Sequence, residues 1–285
     1  MPLPSLEAIQ DQDLEPFCTF LRANLNSQIP LDQWVAAFRQ PWMADKPNNG
    51  FMIRDDAGEI VGGIGAIYSE QVINGQAERL CNITSWCVKD EFRAKSMRLA
   101  MAVISQDGYH FTDLTPTDVV AGSLKFLKFQ AMDETILLLP HKPWVGSGGA
   151  RAYSDPAKVQ SQLPEAALQS WQAHRTLPWL QHAVVGRDSD WCHVVYKTVS
   201  VKRMPCAKII GLSDAASWLR WRGVFGRHLL LRRGMLGSWV EQRLLPERPD
   251  GAIELKGYKA KMFRSDSLQP AQISNLYSEL AALDL

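Results

Sequence analysis

Asn82-Ile83-Thr84-Ser85-Trp86-Cys87-Val88-Lys89-Asp90-Glu91-Phe92-Arg93-Ala94-Lys95-Ser96-Met97-Arg98-Leu99 reads as a strand that runs into a helix. A β-rich run ends at Val88 and an acidic turn follows. From Arg93 onward Ala94, Met97, Leu99, Ala100, Met101 and Val103 give a helix-forming pattern. The first peptide N–H groups of such a helix have no internal partners and carry the positive end of the helix dipole, so they can hold a phosphate. Arg93, Lys95 and Arg98 add three cations to that turn.

Working outward, Asn74-Gly75 turns the chain into the strand that ends at Val88, and an Asp56-Ala57-Gly58 turn joins two β-runs within residues 51–68 to predict a hairpin. Gly62, Gly63 and Gly65 lie inside a strand with no helix after them, so they mark bulges or close strand packing rather than a phosphate loop. Downstream, Tyr109-His110-Phe111-Thr112-Asp113-Leu114 reads as a strand, Thr115-Pro116-Thr117-Asp118 as a turn, and residues 119–129 as an amphipathic helix. The expected unit is β-turn-α-β-turn-α-β, closing on residues 135–139. Upstream, residues 6–25 and 31–38 carry helical spacing, and no first strand is evident before them.

Val88, four residues, then Arg93-Ala94-Lys95-Ser96-Met97-Arg98 resembles the acyl-CoA-binding signature of the GNAT superfamily of N-acyltransferases, a valine followed after about four residues by Q/R-x-x-G-x-G/A. The leading Arg matches in kind and spacing; Ser96 and Arg98 stand where the family has small residues. Ser123-Leu124-Lys125-Phe126-Leu127-Lys128-Phe129-Gln130-Ala131 resembles the family's closing helix. The likeness covers roughly residues 50 to 140. It implies an α/β fold, a mixed and mostly antiparallel sheet with flanking helices, and acetyl-CoA or another acyl-CoA as cosubstrate. Trp86, Cys87 and Val88 would pair with pantetheine, and Arg93, Ala94, Lys95, Ser96, Met97 and Arg98 would form the pyrophosphate turn. The implied acceptor is the amine of a small molecule, an amino sugar among the candidates. Many members have a glutamate six residues before the valine as base and a tyrosine on the closing helix as acid. Here those positions hold Asn82 and Phe126. Candidates for proton handling are Asn82, Ser85 and Glu78, with Tyr68, Glu70, His110 and Asp113 in the same unit. The resemblance therefore leaves open two functions, an acyl-CoA-dependent N-acyltransferase or a binding or regulatory module that keeps the fold without turnover.

The chain of 285 residues is long enough for two domains, and breakers between residues 140 and 149 place the expected division at 146/147. Residues 1–149 hold 12 Lys+Arg and 18 Asp+Glu, a net −6; residues 150–285 hold 19 and 12, a net +7, and the two sum to the +1 of the whole chain. The second half predicts helices at residues 164–174, 214–233 and 270–283 and strands at 191–199, 207–212, 236–245 and 253–255. Its strand, Ser213-Asp214 cap, long helix and strand repeat the pattern of residues 109–139, so it reads either as a second, degenerate copy of the first unit or as an unrelated α+β domain. Helix 214–233 carries Arg220, Arg222, Arg227, His228, Arg232 and Arg233. That side is either a face for an anionic partner or a solvated side of a core helix. The interleaved aromatic and basic motifs of nucleic-acid modules are missing. Five cysteines, odd in number and without C-x-x-C spacing, predict neither a disulfide framework nor zinc, and the histidines have no ligand-like spacing. Residues 1–7 carry neither a basic nor an apolar leader segment, and no apolar run is of membrane-spanning length, so the expected location is the cytoplasm.

Overall fold

The computed structural model describes residues 5–133, 135–255 and 260–284; the leader expectation thus falls in part, at residues 1–4, outside the described residues. The chain divides into two compact units. The first contains the residues up to Met132 together with those of 260–273 and 277–284, and the second contains those of 133–255 with Ser274–Leu276.

The first unit begins with β1 (Ser5–Ala8), α1 (Leu14–Asn24) and α2 (Leu31–Phe38). A first strand is therefore present, although residues 6–25 read as helical. Its four residues owe their extended shape to antiparallel pairing with β2 (Gly50–Arg54), Ser5 to Arg54 through Ala8 to Phe51. β3 (Ile60–Ile73) and β4 (Gln76–Val88) form a long hairpin whose turn residues Asn74 and Gly75 both have positive φ. Then follow α3 (Ser96–Ile104), β5 (His110–Asp113), α4 (Asp118–Phe126) and the short β6 (Gln130–Ala131). The glycines of β3 admit the helices: a Cβ on Gly63 would lie 2.5 Å from the Phe17 ring and one on Gly65 2.5 Å from Phe38. Leu99, Ala100 and Val103 of α3 and Ala121 and Leu124 of α4 join Ile64, Ile83 and Phe111 in the core.

The next strand, β7 (Ile136–Pro140), does not close that sheet as expected; it pairs antiparallel with strands of the second unit. The second unit continues through β8 (Arg151–Tyr153), α5 (Pro156–Ser161), α6 (Leu168–His174), β9 (Gln181–Arg187), β10 (Asp190–Val201), β11 (Met204–Leu212), α7 (Ala215–Arg233), β12 (Gly237–Glu241) and β13 (Ile253–Leu255). The chain then returns to the first unit with β14 (Met262–Arg264), which pairs with β5 and β6, and ends on α8 (Glu279–Ala282). The expected long C-terminal helix is only this short helix and a 3-10 turn at Pro270–Gln272, because Ser274–Leu276 leave for the second unit between them.

The two sheets have the same plan. Their orders are β1-β2-β3-β4-β5-β14-β6 and β8-β9-β10-β11-β12-β7-β13, each with three antiparallel junctions, one parallel junction crossed by a helix (α3 or α7), and two more antiparallel junctions. Each sheet takes its sixth strand from the other half of the chain. The expected division at 146/147 does not foresee that exchange, since it leaves β7 with the first unit and β14 with the second.

In the second unit Trp218, Phe225 and Leu229 of α7 pack on Tyr196, Ala207 and Ile209. His193, buried on β10, stacks on His182 of β9 with ring centroids 5.2 Å apart, and His193 Nε2 lies 3.0 Å from His182 Nδ1. Burial, aided by the neighbouring histidines, pushes His182 down to about 4 and His193 to about 3, from 6.5. The unfolded chain therefore takes up protons before the folded one as the pH falls below 6.5, and stability is lost between there and pH 3–4. For His182 alone the loss is on the order of 3 kcal/mol at pH 4. A series of urea unfolding curves from pH 7 to pH 4 should show the midpoint falling, with a shallower fall in His193→Gln; a pH-independent midpoint would refute a neutral, buried pair.

Candidate functional site

β4 pairs with β5 only from Leu80 to Asn82, opposite His110 to Thr112; beyond Asn82 the two parallel strands diverge. The parting thus comes six residues before the end of β4 at Val88. On its other side β4 stays paired with β3 to Val88, but the register shifts between Gly63 and Gly65. Ile64 therefore faces an extra residue at Ser85-Trp86, and Ser85 takes a left-handed φ of 54°. Such a bulge bends the strand and turns backbone groups out of the ladder. β4 so offers an unpaired backbone edge, residues 83–88, to anything lying in the opening.

At the end of that edge the chain winds a 3-10 turn, Asp90–Lys95, before α3 begins at Ser96. The sequence predicted regular helix from Arg93; the tighter turn instead commits the Phe92 N–H to the Lys89 carbonyl and the Ser96 N–H to that of Arg93. Among the described residues no side chain caps the turn or α3. A groove of about 800 Å³ runs from this turn along β4. Trp86, Cys87, Val88, Arg93, Ser96 and Met97 line it, while Ala94, Lys95 and Arg98 are not in its wall. Arg93 is exposed and bonds Asp90 at 2.9 Å, so its charge is partly matched. Burial raises the Cys87 thiol, which stays protonated near neutrality. The facing wall comes from α4 and the turn before it, Thr117, Val119, Val120 and Ser123, with Asn24 of α1. Sequence reading missed this wall. Its signal was the Thr117 cap, whose hydroxyl accepts the Val120 N–H, ahead of an exposed Val119.

The proton-handling candidates separate. Asn82 is buried at the point of divergence, its Nδ2 donating to Thr112 Oγ1 at 3.1 Å and its Oδ1 accepting the Glu279 N–H at 3.0 Å. Ser85 is on the bulge with its hydroxyl 3.3 Å from that of Thr84. Glu78 bonds His110, which in turn meets Ser265. Tyr68 is buried among Asn48 and Gln106, with its hydroxyl held protonated by burial, and Glu70 pairs with Arg79. Phe126 is 82% exposed at the end of α4. Asp113 and Glu279 are buried beside Asn82, and both carboxyls are raised above their ordinary range by burial, Asp113 further by the charge of Glu279.

The corresponding place in the second unit is built differently. β11 parts from β12 after Lys208, but α7 starts under the Asp214 carboxylate, which accepts the Ser217 N–H. Asp190 adds a second carboxylate, bonded to the Ser217 hydroxyl, Arg220 and Trp221 Nε1. That helix end holds carboxylates from its own unit, which disfavours a phosphate there. Of the basic side of α7, Arg220 is thus engaged, Arg227 donates to the Val145 carbonyl and His228 meets Ser154. Among the described residues no helix is long and apolar enough to cross a membrane, and no group of three or more His, Cys, Asp or Glu is placed to hold a metal.

No family model and no curated protein sequence matches the chain. Solved structures do. A GCN5-related N-acetyltransferase from Anabaena variabilis superposes with a TM-score of 0.62 at 13% identity, over 92% of this chain and 72% of its own. One from Kribbella flavida gives 0.58 at 13%, over 92% and 71%. The glucosamine N-acetyltransferase region of a fungal multi-domain β-N-acetylglucosaminidase gives 0.59 at 13%, over 92% of this chain and 38% of that one. With its parted parallel strands, bulged β4 and repeated sheet plan, the chain has the fold of the GCN5-related N-acetyltransferases.

Proposed function

We propose that the protein is a cytoplasmic N-acyltransferase that moves an acyl group, in the first instance acetyl, from coenzyme A to the amine of a small molecule. One observation carries the reading: the unpaired edge of β4 and the uncapped start of α3 meet in a single groove. Pantetheine amides would bond residues 83–88 as an added strand, and phosphates would lie against the turn of residues 90–97. A chain laid so points its thioester toward Asn82, where the strands part. The likeness to a glucosamine N-acetyltransferase region supports an amino sugar among the acceptors to try.

The second reading is an acyl-CoA-binding module without turnover. Asn82 cannot accept a proton at neutral pH, and exposed Phe126 has none to give. Thermal unfolding with acetyl-CoA and with free CoA tests the binding step. Ligand at a hundred times its Kd should add about 2.7 kcal/mol, and an unchanged transition would remove both readings. Thiol release against a panel of amines then separates them, since binding without release from any amine would leave only the module.

A further inference from the structure

The apex of the parted strands holds an arrangement that the groove alone does not explain. Asn82 stands where the acyltransfer reading wants a proton acceptor, and it cannot be one. Yet the fold brings the backbone of a glutamate, 197 residues away in sequence, onto it. Glu279, at the start of α8 and 0% exposed, donates its backbone N–H to Asn82 Oδ1. Its side-chain Oε1 accepts the hydroxyl of Thr115 at 2.9 Å, and its Oε2 has no hydrogen-bond partner among the described residues. Leaving a buried carboxyl oxygen without a partner destabilises the fold, so its retention calls for a reason.

Thr115 supplies a route outward. Glu279 and Asp113 are buried, whereas Thr115 is exposed, and it stands two residues before Thr117 of the groove wall. Its N–H donates to Asp113 Oδ1 at 3.2 Å, which holds the turn in place while the hydroxyl points at Glu279. Thr115, exposed in the turn two residues before the groove wall, thus bonds a carboxyl sealed from water.

We propose that Glu279, acting through the Thr115 hydroxyl, receives the proton of the attacking amine and so fills the role left vacant at Asn82; the proposal rests on the acyltransfer reading. As the amine nitrogen attacks the thioester carbonyl carbon, its N–H proton passes to Thr115 Oγ1 and the hydroxyl's own proton to Glu279 Oε1. The C–S bond breaks with its electron pair on sulfur. The thiolate takes a proton from water, Glu279 later gives one back, and the sum is amine plus acyl-CoA going to amide plus free thiol. Glu279 is a positioning and relay residue, since Thr115 stands between it and the substrate. Burial raises its proton affinity, as suits a group that must take a proton near neutrality. The charged or titratable groups that bear on it are Asp113 of β5 and Lys261 just before β14.

The test uses the full-length chain, acetyl-CoA, and a panel of glucosamine, spermidine, lysine and tyramine. Thr115→Val and Glu279→Gln should each lower kcat/KM for the best amine by about a hundredfold or more, the usual contribution of a positioned general base. Calorimetric affinity for acetyl-CoA should not change. Thr115→Ser should restore the rate, and Glu279→Gln should abolish the acid limb of the kcat/KM profile, which a purely structural role would not move. Exposed Thr115 carries the test should Glu279→Gln not fold. Wild-type rates in Thr115→Val, or an acid limb that survives in Glu279→Gln, would overturn the relay. So would acetyl-CoA binding without thiol release in the wild type, which spares the binding site. A wild-type chain that does not bind acetyl-CoA would overturn the underlying reading as well.

Discussion

Replacing Glu241 with alanine should cost about 3–5 kcal/mol of unfolding free energy, the usual result of stripping a buried charge of its partner. Glu241 closes β12, and its side chain is 1% exposed. Arg243, its side chain 2% exposed in the turn just after it, donates Nε to Glu241 Oε2 at 2.8 Å and Nη2 to Asn275 Oδ1 at 2.6 Å. Asn275 Nδ2 donates to Glu241 Oε1 at 2.9 Å, so three side chains close a ring within the second unit. Alanine at 241 removes the carboxylate that Arg243 Nε bonds inside the protein. Glu241→Gln keeps the volume and an acceptor, and should cost less. Urea denaturation of the two variants measures the difference. A loss below about 1 kcal/mol for alanine would mean that water or other groups already solvate Arg243. The ring also fixes Ser274–Leu276 to the second unit, the short excursion that splits the expected C-terminal helix.

Ser123→Trp should remove acetyl-CoA binding while leaving the fold intact. Ser123 is partly exposed on α4 in the wall facing β4, and its hydroxyl only returns to the Val119 carbonyl one turn earlier. An indole there takes up space that pantetheine would need, with no core contact to break. At least a tenfold weaker Kd is expected, about 1.4 kcal/mol, with a thermal transition like that of the wild type in the absence of ligand. Calorimetry on both proteins decides it; equal affinities would show that ligand does not occupy this groove.

What was legible in the sequence was what local physics determines. The Asn74-Gly75 turn, the β-rich run into Val88, a helix following it, though read from Arg93 and begun at Ser96, and the Asp214 cap are each specified within a few residues, and each is present. β1, β6 and β14 are four, two and three residues long and become strands through their partners, so their own residues carry little signal. β7 reads as a strand closing the first sheet but pairs in the second, because five apolar-rich residues do not record which edge they pair with. The groove was half legible. β4 and the turn after it were visible as strand-turn-helix, whereas the α4 wall and the buried carboxyl of Glu279 arise only from tertiary packing. The basic side of α7 shows the converse: its charges looked free in sequence, and Arg220, Arg227 and His228 prove to be holding Asp190, the Val145 carbonyl and Ser154.

Titration calorimetry of the intact chain with acetyl-CoA tests the central claim most directly. One site per chain is predicted, because α3 begins without a side-chain cap whereas α7 begins beneath Asp214 and Asp190. That site should vanish in Ser123→Trp. No binding heat at any concentration tried, or a site that Ser123→Trp leaves untouched, would contradict an acyl-CoA groove along β4.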